Sequence, residues 1–128
     1  MVGIVIVSHS RDIAAGTVAL ASQMAGEEVR IEAAGGMPDG SLGTDGALVR
    51  AAITAANQDD GAIVLGDLGS AILTARHVLE DHASNGSVRL VDAPIVEGAV
   101  AAAVVSSAGR PLDEVASAAE GARAIPKL

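Results

Sequence analysis

The 128-residue sequence has no Cys, Phe, Tyr or Trp. Without Cys there are no disulfides, no thiolate metal ligands and no thiol chemistry. Without aromatic rings nothing offers a stacking platform for bases beyond a weak one from Arg, and the core must be assembled from Ala, Val, Ile and Leu. Cationic side chains are also scarce: 8 Lys and Arg stand against 16 Asp and Glu, a net charge of −8. That balance argues against nucleic-acid and anionic-membrane partners. The only lysine is Lys127, which excludes the phosphate loop G-x-x-x-x-G-K-[ST]. No apolar run approaches the ~20 residues a membrane-spanning helix needs, the stretch GAVAAAVV at 98–105 being far too short. The N-terminus enters the run VGIVIVS with no basic region before it, so no secretory signal is read and a cytoplasmic location is expected. The sequon Asn85-Gly86-Ser87 is accordingly read as a chance match.

What is present is a hydrophobic half of the chain, enough for a real core in one domain covering residues 1–128. Residues 2–8 read as a strand buried on both faces. Residues 11–25 place Ile13, Thr17, Leu20 and Met24 at helical spacing behind a Ser10 cap. A second strand is expected over 28–33, followed by the Gly, Asp and Pro-rich loop 34–46. A second helix carries Leu48, Ala51, Ala52 and Ala55, with Thr44 or Asp45 as its cap. A third strand spans 61–66, and a third helix 70–83 turns Ile72, Ala75 and Leu79 inward. A fourth strand spans 87–92. Two helices close the chain, one over about 96–106 and one after Pro111 with Leu112, Val115 and Ala119 inward. The order βαβαβαβαα predicts a three-layer α/β/α fold on a mainly parallel four-stranded sheet, with strand order 2-1-3-4.

In open α/β sheets, ligands sit beyond the carboxyl ends of the strands, where strand order reverses. That rule selects Ser8-His9-Ser10, the loop after the second strand, Gly66 to Ser70, and Asp92 to Gly98. His9 follows an apolar strand and precedes a helix. It is either a space-filling histidine bonded to a carbonyl or an accessible reactive imidazole between two small serines. Asp67 is either a turn residue or the carboxylate that faces His9 from the neighbouring strand. In the second reading it fixes the tautomer and leaves the other ring nitrogen nucleophilic. Gly69 and Ser70 open the third helix, as a cap, an anion-binding helix start, or both. His77 and His82 lie five apart, about 140° around a helix, so they do not form a metal pair. His77 with Asp81 reads as a surface pair. The loop GGMPDGSLGTDG lacks G-x-G-x-x-G spacing, and no G-x-S-x-G elbow occurs.

Four segments together, VIVSHS, GGMPDGSLGT, GDLGSA and APIVEG, resemble the phosphotransfer subunits of phosphoenolpyruvate-dependent dihydroxyacetone kinases. The domain of those subunits is related to enzyme IIA of the mannose transporter. The resemblance runs from residue 1 to about 120. It implies that His9 carries a phosphoryl group received from the histidine-containing phosphocarrier protein. It implies that the group passes to ADP on a separate nucleotide subunit, where the nucleotide brings Mg²⁺. Asp67 is then the partner carboxylate. Ser8, Ser10, Gly69, Ser70 and Thr44 surround the phosphoryl group, and Arg11 is solvated or assists. A homodimer is implied, with no metal and no cofactor on this subunit. The carrier and enzyme I domains fused onto some relatives are expected on separate proteins. Two other readings stay open: an enzyme IIA component of a mannose- or fructose-type transporter, and a non-catalytic flavodoxin-like binding module. Hydrolysis by an enzyme of the same fold is a further possibility.

Overall fold

Four strands and five helices alternate along the chain in the computed structural model, which describes residues 1–81 and 87–128. They are β1 Gly3–Ser8, α1 Arg11–Ala25, β2 Ile31–Gly35, α2 Gly46–Ala56, β3 Ala62–Gly66, α3 Gly69–Asp81, β4 Val88–Leu90, α4 Ile95–Ser107 and α5 Leu112–Gly121. A single 3₁₀ turn, Ala122–Ala124, follows α5. His82 and Ala83, the last two residues of the expected third helix, and Asn85 and Gly86 of the sequon lie outside the described residues.

The sheet order is β2-β1-β3-β4, and every pairing is parallel. β1 is central because its side chains are apolar on both faces. Val2, Ile4 and Ile6 join Ile63 and Leu65 of β3 under α1, α4 and α5. Val5 and Val7 join Ala62 and Val64 under α2 and α3. Ile4, Ile6, Ile63 and Leu65 are fully buried, so truncating any of them to Ala costs ~2–5 kcal/mol.

Four expectations shift. β2 starts later than residue 28 and runs through Ala34 and Gly35, because it pairs with β1 as far as Ser8. The glycine that makes this stretch look like a loop is needed there: a Cβ on Gly35 would lie 2.6 Å from the Ser10 carbonyl oxygen. In α1 the buried residues are Ala14, Thr17 and Ala21, whereas Ile13, Leu20 and Met24 are exposed. Alanine at the contact lets the helix lie close to the sheet, and the larger side chains move to its flank. In α2 the buried set is Val49, Ala52, Ile53 and Ala56, one position along from the expected face. Ala71, Ala75 and Val78 are the buried residues of α3, while Ile72 and Leu79 are only half-buried. The expected Val115 and Ala119 are buried in α5, with Leu112 packed against the core. Among the described residues, no helix is long and apolar enough to cross a membrane.

Candidate functional site

β1 ends on Ser8, which is fully buried. A buried hydroxyl needs partners, and this one has two. Ser8 Oγ donates to Asp67 Oδ2 at 2.6 Å and accepts the Ser10 backbone N–H at 3.0 Å. Asp67, the first residue after β3, lies beside Ser8 because β1 and β3 are hydrogen-bonded neighbours in register Val7 to Gly66. Its N–H reaches the Val7 carbonyl at 3.3 Å. Its carboxylate also accepts the His9 N–H at 3.3 and 3.4 Å, and the Leu68 N–H at 2.7 Å.

Asp67 therefore fixes the backbone beneath His9, whereas the sequence suggests that it holds the imidazole. Its oxygens accept from three donors, the Ser8 hydroxyl and the His9 and Leu68 N–H groups. Ser70 instead stands by the ring, with Oγ 3.4 Å from His9 Nδ1. Ser70 is the second residue of α3, not its cap, so its hydroxyl is available for this contact. Ser8 does not face a phosphoryl group; it is sealed into the seam between β1 and β3. Ser10 is the N-cap of α1, accepting the Ile13 N–H at 3.3 Å.

The Gly-rich loop also holds this backbone. Gly36 N–H donates to the Ser8 carbonyl at 3.2 Å, and Gly43 N–H donates to the His9 carbonyl at 2.8 Å. Sequence reasoning missed both contacts, although the density of glycine was their signal. Gly43 has φ +145°, and a Cβ there would come within 2.8 Å of Met37 Sδ. The loop turns on Asp39, whose carboxylate accepts the Ser41 hydroxyl at 2.6 Å and the Ser41 N–H at 2.9 Å. Chiefly the Ser41 hydroxyl, with smaller help from the Ser41 N–H and the Arg11 charge, holds this carboxyl below its ordinary pKa. Arg11 lies across the loop at Gly40, where a Cβ would be 3.1 Å from Nη1.

Asp45, not Thr44, caps α2 by accepting the Leu48 N–H at 3.0 Å. Thr44 bridges to Gly36, and its hydroxyl is shielded from solvent with no hydrogen-bond partner. The segment after β4 is not part of the His9 cluster. Asp92 pairs with Arg123 at 3.0 Å, Glu97 pairs with Lys127 at 3.0 Å, and Gly98 packs on Leu65. His77 faces Glu80 at 3.8 Å on the surface, not Asp81. Among the described residues, no group of three or more His, Asp or Glu could hold a metal ion.

The assembled site is a half-buried imidazole on a backbone bonded at four points, between the starts of α1 and α3. The positive ends of two helix dipoles favour an anion there.

Residues 3–116 match the family model described as PTS system fructose IIA component. The chain is 39% identical to the PEP-dependent dihydroxyacetone kinase 2, phosphoryl donor subunit DhaM, of Listeria innocua, with 83% of this chain and 86% of that protein covered. It is 43% identical to the PEP-dependent dihydroxyacetone kinase phosphoryl donor subunit DhaM of Pantoea ananatis, over 97% of this chain and 27% of that one. To the protein of the same name from Escherichia coli it is 40% identical, over 90% of this chain and 25% of that one. The chain thus spans about a quarter of the length of these last two relatives. Among solved structures, the unknown-function protein EF1359 superposes with a TM-score of 0.82 and 34% identity, over 94% of both chains. The phosphotransferase system component EIIA from Streptococcus agalactiae superposes with a TM-score of 0.71, over 99% of this chain and 97% of that one; at 16% identity this likeness concerns the fold alone.

Proposed function

The chain belongs to the EIIA-man family of PTS system fructose IIA components, and from that premise we propose that it is the phosphoryl donor subunit of a phosphoenolpyruvate-dependent dihydroxyacetone kinase. In this reading residues 1–128 form one cytoplasmic phosphotransfer domain that acts as a homodimer. It takes its phosphoryl group from the histidine-containing phosphocarrier protein and gives it to ADP on the nucleotide subunit of the kinase. The relatives of that name, similar across most of this chain, support the choice of pathway.

One observation carries the mechanism: a solvent-reachable imidazole on a rigid backbone, with Ser70 Oγ at Nδ1. With Nδ1–H donating to Ser70, the lone pair of Nε2 is free to attack. It forms a bond to the donor's phosphorus in line with the breaking P–N bond, and the electron pair returns to the donor imidazole. In the second step a β-phosphate oxygen of ADP attacks the phosphorus. The P–Nε2 bond breaks, ATP forms, and neutral His9 is restored. Such transfer rests on positioning and charge stabilisation more than on covalent assistance. The N–H groups at the starts of α1 and α3, with Gly69 and Ser70, meet the phosphoryl oxygens. Asp67 acts through the backbone: it holds the His9 N–H and leaves the ring to Ser70.

The test is to add the phosphorylated chain to the ADP-loaded nucleotide subunit and measure ATP. Stoichiometric ATP is expected. No ATP, with transfer instead to a transporter's next phosphocarrier component, would replace this reading by the transporter one.

A further inference from the structure

With Cys, Trp and Tyr absent, methionine is the residue type in this chain that peroxides oxidise most readily, and it occurs three times. Met1 precedes β1 and Met24 lies in the last turn of α1, both at the end of the sheet away from His9. Both stand in solvent, at 38% and 51% exposure. Met37 is different: it is half-buried and lies in the Gly-rich loop that holds the His9 backbone. Its Cγ and Sδ pack on Gly43, where a Cβ would stand 2.9 and 2.8 Å from them. Gly43 in turn gives its N–H to the His9 carbonyl at 2.8 Å. The Met37 backbone is pinned, because its N–H donates to the Ser41 carbonyl at 2.8 Å and its carbonyl accepts the Gly40 N–H at 2.9 Å. A change in the volume or polarity of this thioether therefore falls on Gly43, one hydrogen bond from the reactive histidine.

We infer that Met37 is a site of reversible oxidation by hydrogen peroxide, which loosens the backbone under His9 and slows phosphoryl transfer. The effect on transfer rests on the phosphoryl-carrier reading above. A lone pair of the sulfur attacks one peroxide oxygen, and the S–O bond forms as the O–O bond breaks. The displaced hydroxide takes the proton from the sulfur-bound oxygen and leaves as water. The sulfur is oxidised and the peroxide is reduced. A half-buried side chain admits a reagent little larger than water. The product carries one more heavy atom and a strong dipole where an apolar sulfur sat. The side of the seat that faces Gly43 has no room for it, since even the Cβ of an alanine there would overlap the sulfur. A polar oxygen without a partner favours water. The sulfoxide therefore swings outward, Gly43 loses its cover, and its bond to the His9 carbonyl opens to solvent. A thiol-dependent sulfoxide reductase reverses the step, removing the oxygen as water while its own thiols become a disulfide.

The test treats the chain with hydrogen peroxide, removes the reagent, and locates the added oxygen by peptide mass spectrometry. Met24→Leu and Met37→Leu are treated in parallel, leucine keeping the apolar bulk without the sulfur. One readout is amide hydrogen exchange at residue 43, which needs no phosphoryl transfer. The other is the rate of phosphorylation by the phosphocarrier. Oxygen on Met37 should speed the exchange and slow the phosphorylation, each about fivefold, the size of one modest hydrogen bond. The original chain and Met24→Leu should respond alike, and a methionine sulfoxide reductase should restore both. In Met37→Leu, treated and untreated samples should match. Unchanged exchange, or an unchanged phosphorylation rate, in a chain shown to carry oxygen on Met37 would overturn the inference. So would an equal response in Met37→Leu, or a Met37 left unoxidised when Met24 is fully oxidised. A chain that accepts no phosphoryl group even before treatment, yet exchanges faster at residue 43 after it, would instead overturn the transfer reading and leave the oxidation site standing.

Discussion

The Ser8 hydroxyl and the Asp67 carboxylate meet at 2.6 Å, joining the last residue of β1 to the first residue after β3. With the His9 and Leu68 N–H groups on the same carboxylate, this bond sets the platform on which the imidazole stands. It explains why a carboxylate that does not touch the ring still matters to it.

Asp67→Asn turns one carboxylate oxygen into a donor facing groups that are themselves donors. The expected loss is about 1.5–3 kcal/mol of stability, from a charged acceptor exchanged for a mismatched amide. Phosphoryl transfer should slow at least tenfold in a protein that still folds. Thermal melts and single-turnover phosphorylation check the two effects separately, and an unchanged transfer rate would remove Asp67 from the mechanism.

Ser70→Ala removes the group at His9 Nδ1. ¹⁵N NMR of the imidazole should show a smaller fraction of the Nδ1–H tautomer. Transfer should fall about fivefold, the size of one modest hydrogen bond. Ser70→Thr keeps the hydroxyl and should retain most of the rate.

Gly43→Ala places a side chain at φ +145° and within 2.8 Å of Met37 Sδ. The loop must shift, and the 2.8 Å bond from Gly43 N–H to the His9 carbonyl breaks. The expected cost is about 1–3 kcal/mol in stability. Amide hydrogen exchange at residue 43 should rise with it.

Ser41→Ala removes the largest cause of the lowered Asp39 pKa, which should then rise toward its ordinary value. A carboxyl whose folded pKa is depressed adds stability above its unfolded pKa and loses it as pH falls through the folded value. The variant should therefore be less stable near neutral pH and should lose less stability than the original chain as pH falls below the ordinary carboxylate range. Carboxyl ¹³C titration of Asp39 measures the shift directly.

The strands were the most legible part of the sequence, since β1 and β3 are apolar on both faces and short enough to exclude other readings. Ser10 and the Asp67–Ser70 junction were legible because turn and cap chemistry is local. Helix faces were not. In a chain whose core is largely alanine, Ala14 and Ala21 make the contacts and Ile13, Leu20 and Met24 do not, so residue size misleads. β2 was misplaced because Gly35 looks like loop but serves the close crossing of α1. The pairing of His9 with Ser70 depends on which donors reach Asp67 first, and spacing along the chain does not encode that competition.

Acid-labile phosphate on the chain, after incubation with phosphoenolpyruvate, enzyme I and the phosphocarrier, measures the central claim directly. Protein must be quantified by peptide-bond absorbance, because the sequence has no Trp or Tyr. The expected result is a single phosphoryl group per chain, lost at low pH, retained in His77→Ala and absent from His9→Ala. An equal yield in His9→Ala would contradict it.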